Sequence, residues 1–108
     1  SNCLINGNNE LIISDFGLAR EYGSINRPLS HQACTIWYRS PELLYGSTFY
    51  SIGLDIWSVG CIFAELITRV PIFPGKNEID QLIKIFRILG TPNIIDWKNV
   101  ILLPKYRK

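Results

Sequence analysis

The stretch from Asp55 to Thr68 constrains the fold more than any other part of this sequence. Its apolar residues are Ile56, Trp57, Val59, Cys61, Ile62, Phe63, Leu66 and Ile67. On a helix these side chains point in every direction, and a helix that is apolar all round needs neighbours on all sides. The pattern therefore predicts a buried helix over residues 55–68, surrounded by other elements.

Two short apolar runs near the start of the chain predict a β-hairpin. Cys3–Ile5 and Leu11–Ile13 flank the sequence Asn6-Gly7-Asn8-Asn9. Glycine and asparagine tolerate the positive φ that tight turns require, and the flanking runs favour strands.

Two further helices are indicated by their boundary residues. Ser40 is a candidate cap, Pro41 suits the first helical position, and Gly46 suits the left-handed residue after the end. Asn77 is a candidate cap for a third helix, which Gly90-Thr91-Pro92 ends. Its apolar residues follow the 3–4 spacing of one helix face: Ile79, Leu82, Ile83, Ile85, Phe86 and Leu89.

The segment from Asp15 to Thr35 has no sustained hydrophobic periodicity and contains recurrent Gly, Ser, Asn and Pro. A long irregular segment inside a compact domain is typical of functional loops. With the hairpin and the helices, it predicts a mainly α-helical α+β fold.

Composition limits the protein to one small domain and excludes several function classes. The chain has 108 residues, of which 47% are apolar and 19% charged, with a net charge of +2. These values indicate a globular protein without a nucleic-acid partner. The three cysteines form no CxxC pair and suggest a reducing compartment. No signal peptide or membrane-length apolar run is present, so we expect a soluble intracellular protein with no membrane partner. Both ends look cut, because the chain opens at Ser1 and stops in a basic stretch.

Three motifs occur in order along the chain. Asp15-Phe16-Gly17 follows the second predicted strand, and Glu42 of Ser40-Pro41-Glu42 lies 27 positions later. Asp55-Ile56-Trp57-Ser58-Val59-Gly60 then opens the apolar helix. A DFG motif, an APE-like tripeptide and a D-x-W-S-x-G helix, in this order, resemble a eukaryotic protein kinase.

The resemblance covers essentially the whole chain and is greatest for the cyclin-dependent kinase branch of the CMGC group. The segments that carry it are Asp15-Phe16-Gly17-Leu18-Ala19-Arg20, Trp37-Tyr38-Arg39-Ser40-Pro41-Glu42, Gly60-Cys61-Ile62-Phe63-Ala64-Glu65, Phe73-Pro74-Gly75, Glu78-Ile79-Asp80-Gln81-Leu82 and Leu89-Gly90-Thr91-Pro92. It implies a kinase-like fold, of which this chain is a fragment of the C-terminal lobe. The implied parts are the end of the catalytic loop and a hairpin (1–14), the activation segment (15–42), a buried helix (55–68), a following helix (77–90) and the start of a family insert (91–108).

The resemblance also implies the cofactors ATP and Mg²⁺. Asp15 matches the DFG aspartate that holds magnesium, and Asn2 matches the asparagine that provides the second metal ligand. Carboxylate and amide oxygens suit Mg²⁺. Without the resemblance, Asn2 would be interpreted as a turn residue.

Ser30 lies where cyclin-dependent kinases carry their activating phosphothreonine, five positions before Thr35. A phosphate there would add roughly −1.5 to −2 charge and attract arginines, and Arg20 matches one of the phosphate-binding arginines of the family. Gln32 occupies the position of the phosphotyrosine of mitogen-activated kinases, which disfavours that branch. The alternative for Ser30 is an ordinary polar loop residue.

Further roles follow from the same resemblance. Thr35 matches the residue that supports the catalytic base in Ser/Thr kinases. Arg39 matches the arginine that shapes the pocket for a proline after the phosphoacceptor, although Ala33 and Cys34 replace a bulkier pair. Alternatively, Thr35 is a loop hydroxyl and Arg39 a solvated charge. Matches with structural roles in the family are Phe16, Gly17, Glu42 and Asp55.

The implied activity is transfer of the ATP γ-phosphate to Ser/Thr-Pro sites of protein substrates. A cyclin and a Cks-type adaptor are the other implied partners, the adaptor docking at Glu78–Asp80, and the cytoplasm or nucleus is the implied location. Residues 1–108 contain no Gly-rich loop, phosphate-pairing lysine or HRD motif, so we expect this chain alone to be inactive. The alternative is a truncated or pseudokinase chain that acts as a protein-docking module.

Overall fold

A computed structural model describes residues 2–17, 19, 35–49 and 51–107 of the chain. The predicted hairpin is present, with strand β1 (Cys3–Ile5) antiparallel to strand β2 (Leu11–Ile13). Cys3 lies opposite Ile13, and Ile5 lies opposite Leu11. The Asn6 side chain closes the turn, because its Oδ1 accepts the backbone N–H groups of Asn8 and Glu10, each at 2.9 Å.

Three α-helices follow. They are α1 (Pro41–Leu44), α2 (Ile52–Thr68) and α3 (Glu78–Leu89), with short 3₁₀ turns at Ile36–Tyr38 and Val100–Leu102. Helix α2 begins at Ile52, about one turn earlier than the sequence predicted, so that Asp55 lies in its first turn.

The residues predicted to bound α1 and α3 lie at the ends of these helices. The Asn77 side chain accepts the backbone N–H of Asp80 and caps α3 at 2.9 Å. Gly46 after α1 adopts a φ of +83°, which glycine reaches at no steric cost. Ser40 occupies the expected N-cap position of α1. Its side chain makes no capping bond, and its buried hydroxyl has no hydrogen-bond partner among the described residues.

The hydrophobic core lies where the three helices meet. Its fully buried members are Leu44, Cys61, Phe73 and Ile85. Partly buried side chains pack around them: Tyr38, Trp57, Ile72, Leu82 and Phe86. Each helix contributes one residue to this cluster, and Phe73 lies in the link between α2 and α3. The core therefore holds all three helices in one arrangement.

A second cluster of aromatic rings holds the segment after α3 against α1. Tyr45 lies 6.2 Å from Phe86 and 5.6 Å from Tyr106, measured between ring centroids. The backbone N–H of Lys105 also donates to the Tyr45 carbonyl at 2.9 Å. Residues near the end of the described chain thus occupy fixed positions beside the helices.

Helix α2 is not buried on all its sides by the described residues. Leu54 and Cys61 are its buried members, whereas Phe63 and Leu66 are 64% and 61% exposed. The predicted burial of α2 on every side is therefore not reached within the described residues, where Trp57 packs on the core and Phe63 does not. Among the helices that the structure describes, none has the length and apolar character needed to cross a bilayer.

Candidate functional site

The hairpin brings the two predicted metal ligands, Asn2 and Asp15, to its open end. The backbone N–H of Ser14 donates to the Asn2 carbonyl at 2.8 Å, which extends the pairing of β1 and β2 by one step. Asn2 therefore lies opposite Ser14, the residue that directly precedes Asp15, although 13 positions separate Asn2 from Asp15 in the sequence. Their amide and carboxylate oxygens are of the kind that Mg²⁺ prefers.

The backbone at Asp15 has a φ of +65°, in the left-handed region that few residues other than glycine adopt. Its Oδ1 accepts the backbone N–H of Gly17 at 3.1 Å, a local bond that short polar side chains use to stabilise this conformation. Left-handed backbone at non-glycine residues is concentrated at functional sites. The left-handed backbone and the hydrogen bond to Gly17 together define the local conformation at Asp15.

The segment that precedes α1 is tied to α2 through Tyr38. The Tyr38 hydroxyl donates to Glu65 Oε2 at 2.7 Å, and the Ser58 hydroxyl donates to the Tyr38 carbonyl at 2.9 Å. The hydrogen bond to Glu65 favours the protonated phenol and, together with burial, raises the pKa of Tyr38 to about 12.

The same segment is tied to α3 through Trp37. The Trp37 indole N–H donates to the Gly75 carbonyl at 2.9 Å, and the Gln81 amide N–H donates to the Trp37 carbonyl at 3.1 Å. Gln81 is fully buried, and its Oε1 accepts the backbone N–H of Gly75 at 2.9 Å. A Cβ at residue 75 would lie 2.6 Å from the Gln81 Cα, so this close approach requires glycine.

Arg39 ends the anchored segment and forms an ion pair with α3. Its Nη1 lies 3.4 Å from Glu78 Oε1, and Lys105 Nζ lies 2.8 Å from Glu78 Oε2. The Arg39 side chain is 19% exposed, so the interpretation of Arg39 as a solvated charge does not describe its position.

The structure places the other predicted residues separately. Thr35 is exposed and directly precedes the 3₁₀ turn, while Glu42 is half-buried in α1. Phe16, Gly17 and Asp55 are exposed. Ser30 and Arg20 lie outside the described residues.

No group of three or more His, Cys, Asp or Glu side chains lies close enough to hold a metal ion within residues 2–17, 19, 35–49 and 51–107. A site made by one carboxylate and one amide is consistent with this, because it leaves further positions for phosphate oxygens and water.

Comparison with known protein families decides the family of the chain. The family model of the protein kinase domain matches residues 1–105. The chain belongs to the protein kinase family. Its fold is accordingly an α+β kinase-like fold, with the two-stranded hairpin followed by helices.

Membership of this family indicates the class of reaction and the cofactors that the reaction uses. A kinase is a transferase that acts on protein substrates, and kinases in general use ATP with Mg²⁺. The hairpin end with Asn2 and Asp15 and the anchored segment Trp37–Arg39 are the two parts of this kinase chain that we consider as its functional site.

Sequence reasoning missed three residues that hold this kinase segment: Glu65, Gly75 and Gln81. Gln81 carries a signal that could have been found, because it lies one turn before Ile85 on the buried stripe of α3. A polar residue on an apolar face is usually hydrogen-bonded. The partners themselves could not be predicted, because Trp37 lies 44 positions from Gln81 and Tyr38 lies 27 positions from Glu65.

Proposed function

We propose that the chain belongs to a serine/threonine kinase of the cyclin-dependent type, which transfers the ATP γ-phosphate to Ser or Thr followed by proline. The observation that supports this most is the anchoring of Trp37–Arg39 to both α2 and α3. A segment that recognises a substrate needs a fixed geometry, because a misplaced substrate reacts more slowly. Arg39, held at its end, would shape the pocket for the proline.

Asn2 and Asp15 would hold magnesium over the ATP phosphates. The carboxylate and amide oxygens of these two residues, at the open end of the hairpin, are ligands of the kind that Mg²⁺ prefers. Bound Mg²⁺ would neutralise charge on the transferred phosphoryl group. Thr35 would support the catalytic base, with Phe16, Gly17, Glu42 and Asp55 in structural roles.

Phosphorylation of Ser30 would activate the kinase, and Arg20 would bind the phosphate. A phosphate carries the charge needed to attract an arginine and order a loop. A cyclin would be the activating partner, and the location would be cytoplasmic or nuclear.

A second candidate function is protein docking by the start of α3. Ile79 is 73% exposed between Glu78 and Asp80, so the start of α3 presents an apolar side chain flanked by two carboxylates. A Cks-type adaptor would bind there. This function does not require catalysis, and it is the one left to a chain that carries only residues 1–108, which by itself would have no phosphotransfer activity.

The test of the proposed function uses the protein expressed from its complete coding sequence in eukaryotic cells. Transfer from ATP is measured to Ser-Pro, Thr-Pro, Ser-Ala and Tyr peptides. We expect transfer to the two proline-containing peptides, and a loss of at least about a hundredfold in Asp15→Ala, since transition-state charge stabilisation is lost. Glu10→Ala, which removes an exposed carboxylate from the same hairpin, is the control and should retain activity.

Two results would contradict the proposal. Transfer that prefers the Tyr peptide would overturn the assignment to Ser/Thr kinases. Full activity of Asp15→Ala, with Asp15 shown to be absent by mass spectrometry, would overturn its role as a metal ligand.

A further inference from the structure

One carboxylate, that of Glu78, is shared between two cations from distant parts of the chain. Arg39 Nη1 lies 3.4 Å from Oε1, and Lys105 Nζ lies 2.8 Å from Oε2. Arg39 comes from the anchored segment before α1, whereas Lys105 lies 16 positions after the end of α3. Glu78 thus connects the segment proposed to select the substrate with the C-terminal part of the described chain.

The backbone at all three positions is fixed independently of this ion pair. Glu78 is the first residue of α3, which Asn77 caps. The backbone N–H of Arg39 donates to the Ile36 carbonyl at 3.0 Å, and that of Lys105 donates to the Tyr45 carbonyl at 2.9 Å. The ion pairs therefore set side-chain positions and do not have to hold the backbone.

Lys105 is held along its length as well as at its charged end. A Cβ at Gly46 would lie 3.4–3.6 Å from the Cγ, Cδ and Cε atoms of Lys105, which places the aliphatic stem against the turn after α1. A long lysine side chain in contact with protein loses less freedom on pairing than one that extends into water.

Removal of the Glu78 carboxylate changes the electrostatic interaction between Arg39 and Lys105. Arg39 and Lys105 would then be two neighbouring positive charges that repel each other, because the carboxylate between them is gone. The Arg39 Nη1 atom would lose the charged acceptor that lies 3.4 Å from it, and with it a constraint on the direction of the guanidinium.

We propose that Glu78 is a positioning residue for substrate selection: its carboxylate orients Arg39, and Lys105 in turn holds that carboxylate. This inference rests on the proposed function, in which Arg39 shapes the pocket for the proline. It adds that selectivity depends on α3 and on the segment around Lys105, neither of which contacts the substrate in this role.

The test measures selectivity in the protein expressed from its complete coding sequence. The quantity is the ratio of kcat/KM for a Ser-Pro peptide to that for the matched Ser-Ala peptide. We expect Glu78→Ala to lower this ratio about tenfold, mainly through KM, because an oriented binding group is lost while the chemistry is unchanged. Glu78→Gln keeps an oxygen acceptor without the charge and should lower the ratio about threefold. Lys105→Ala should lower it about twofold, the size expected for an exposed ion pair.

Two controls separate positioning from structure. Lys84→Ala removes an ion pair with Asp80 on the same helix, of similar exposure, and should leave the ratio unchanged. The double variant Arg39→Ala with Glu78→Gln should have the ratio of Arg39→Ala alone, because residues that act as a unit are not additive.

The two proposals fail in different ways. An unchanged ratio in Glu78→Gln, with a lowered ratio in Arg39→Ala, overturns this inference alone, as does full additivity in the double variant. A wild-type protein without proline preference overturns the proposed specificity, and this inference with it. Should Glu78→Ala fail to fold, the isosteric Glu78→Gln and the exposed Lys105→Ala still decide the outcome.

Discussion

Tyr38 ties the segment before α1 to α2 through both its side chain and its backbone carbonyl. Its hydroxyl donates to a carboxylate, that of Glu65, at 2.7 Å. Hydrogen bonds to charged partners contribute more to stability than neutral ones, about 1.5–3 kcal/mol compared with about 1. The position of Trp37 and Arg39 on either side therefore depends on this bond.

We predict that Tyr38→Phe lowers the free energy of unfolding of the complete protein by about 1–2 kcal/mol at pH 8. Urea unfolding followed by fluorescence measures this. Tyr106→Phe is the matched control, because the Tyr106 ring packs edge-on against Tyr45 and phenylalanine preserves that contact. An equal loss of stability in both variants would contradict the prediction.

The hydrogen bond between Tyr38 and Glu65 also predicts that the free energy of unfolding depends on pH. The folded-state pKa of Tyr38 is raised from 10.0 to about 12. A raised pKa contributes stability that is complete below the unfolded-state value and is lost as the pH rises through the folded-state value. The difference in stability between wild type and Tyr38→Phe should therefore be constant below pH 10 and shrink between pH 10 and about 12.

The residues that sequence reasoning predicted correctly act locally, and those it missed act over long separations. The Asn77 side chain accepts the backbone N–H of the residue three positions later, and the positive φ of Gly46 is a property of that residue alone. By contrast, Gln81 bonds to Trp37 across 44 positions. Such pairs are set by how the helices pack, and a single sequence contains no record of that packing.

At the scale of elements, α2 and α3 begin in different ways. The Asn77 side chain caps α3, and Asp80 Oδ2 in turn accepts the backbone N–H of Lys76 at 2.9 Å. Ser51 precedes α2 without a side-chain capping bond. The cap residue Asn77 predicts the start of α3, whereas the predicted start of α2 is too late because Gly53, inside its first turn, disfavours a helix.

This difference predicts the effect of two matched substitutions in the complete protein. Asn77→Ala should lower the free energy of unfolding by about 1 kcal/mol, since an orphan N–H loses its acceptor. Ser51→Ala should change it by only a few tenths of a kcal/mol, within the usual range of surface substitutions. Chemical unfolding of both variants gives the comparison, and a larger loss in Ser51→Ala would contradict the cap assigned to Asn77.

At the scale of the whole molecule, the α+β kinase-like fold was predicted from three motifs in order and is confirmed by the family match over residues 1–105. The extent to which α2 is buried could not be predicted from the sequence. The sequence of α2 indicates a helix that needs neighbours on all sides, yet it does not say which residues provide them. Within the described residues one side of α2 is covered by α1, α3 and Phe73, while Phe63 and Leu66 remain more than half exposed.

The exposed side of α2 predicts how the 108-residue chain behaves when it is produced by itself. Covering a side chain such as Phe63 or Leu66 stabilises a protein by roughly 1.5–3 kcal/mol, a large part of a total stability of about 5–15 kcal/mol. Large exposed apolar patches lead to association. We therefore expect the chain to self-associate at micromolar concentration and to unfold without a sharp transition, as measured by analytical ultracentrifugation and calorimetry.

A charged variant tests whether this surface is the cause. Replacing Phe63 and Leu66 together by lysine should reduce association, because both side chains are exposed and the core residues Leu44, Cys61 and Ile85 are unchanged. As a control, lysine at Asn8 and Thr91 adds the same charge at exposed polar positions and should leave association as it was. A monomeric wild-type chain with a sharp thermal transition would show that the three helices and their small core are sufficient for a cooperative fold, and that the exposed face of α2 does not need to be covered.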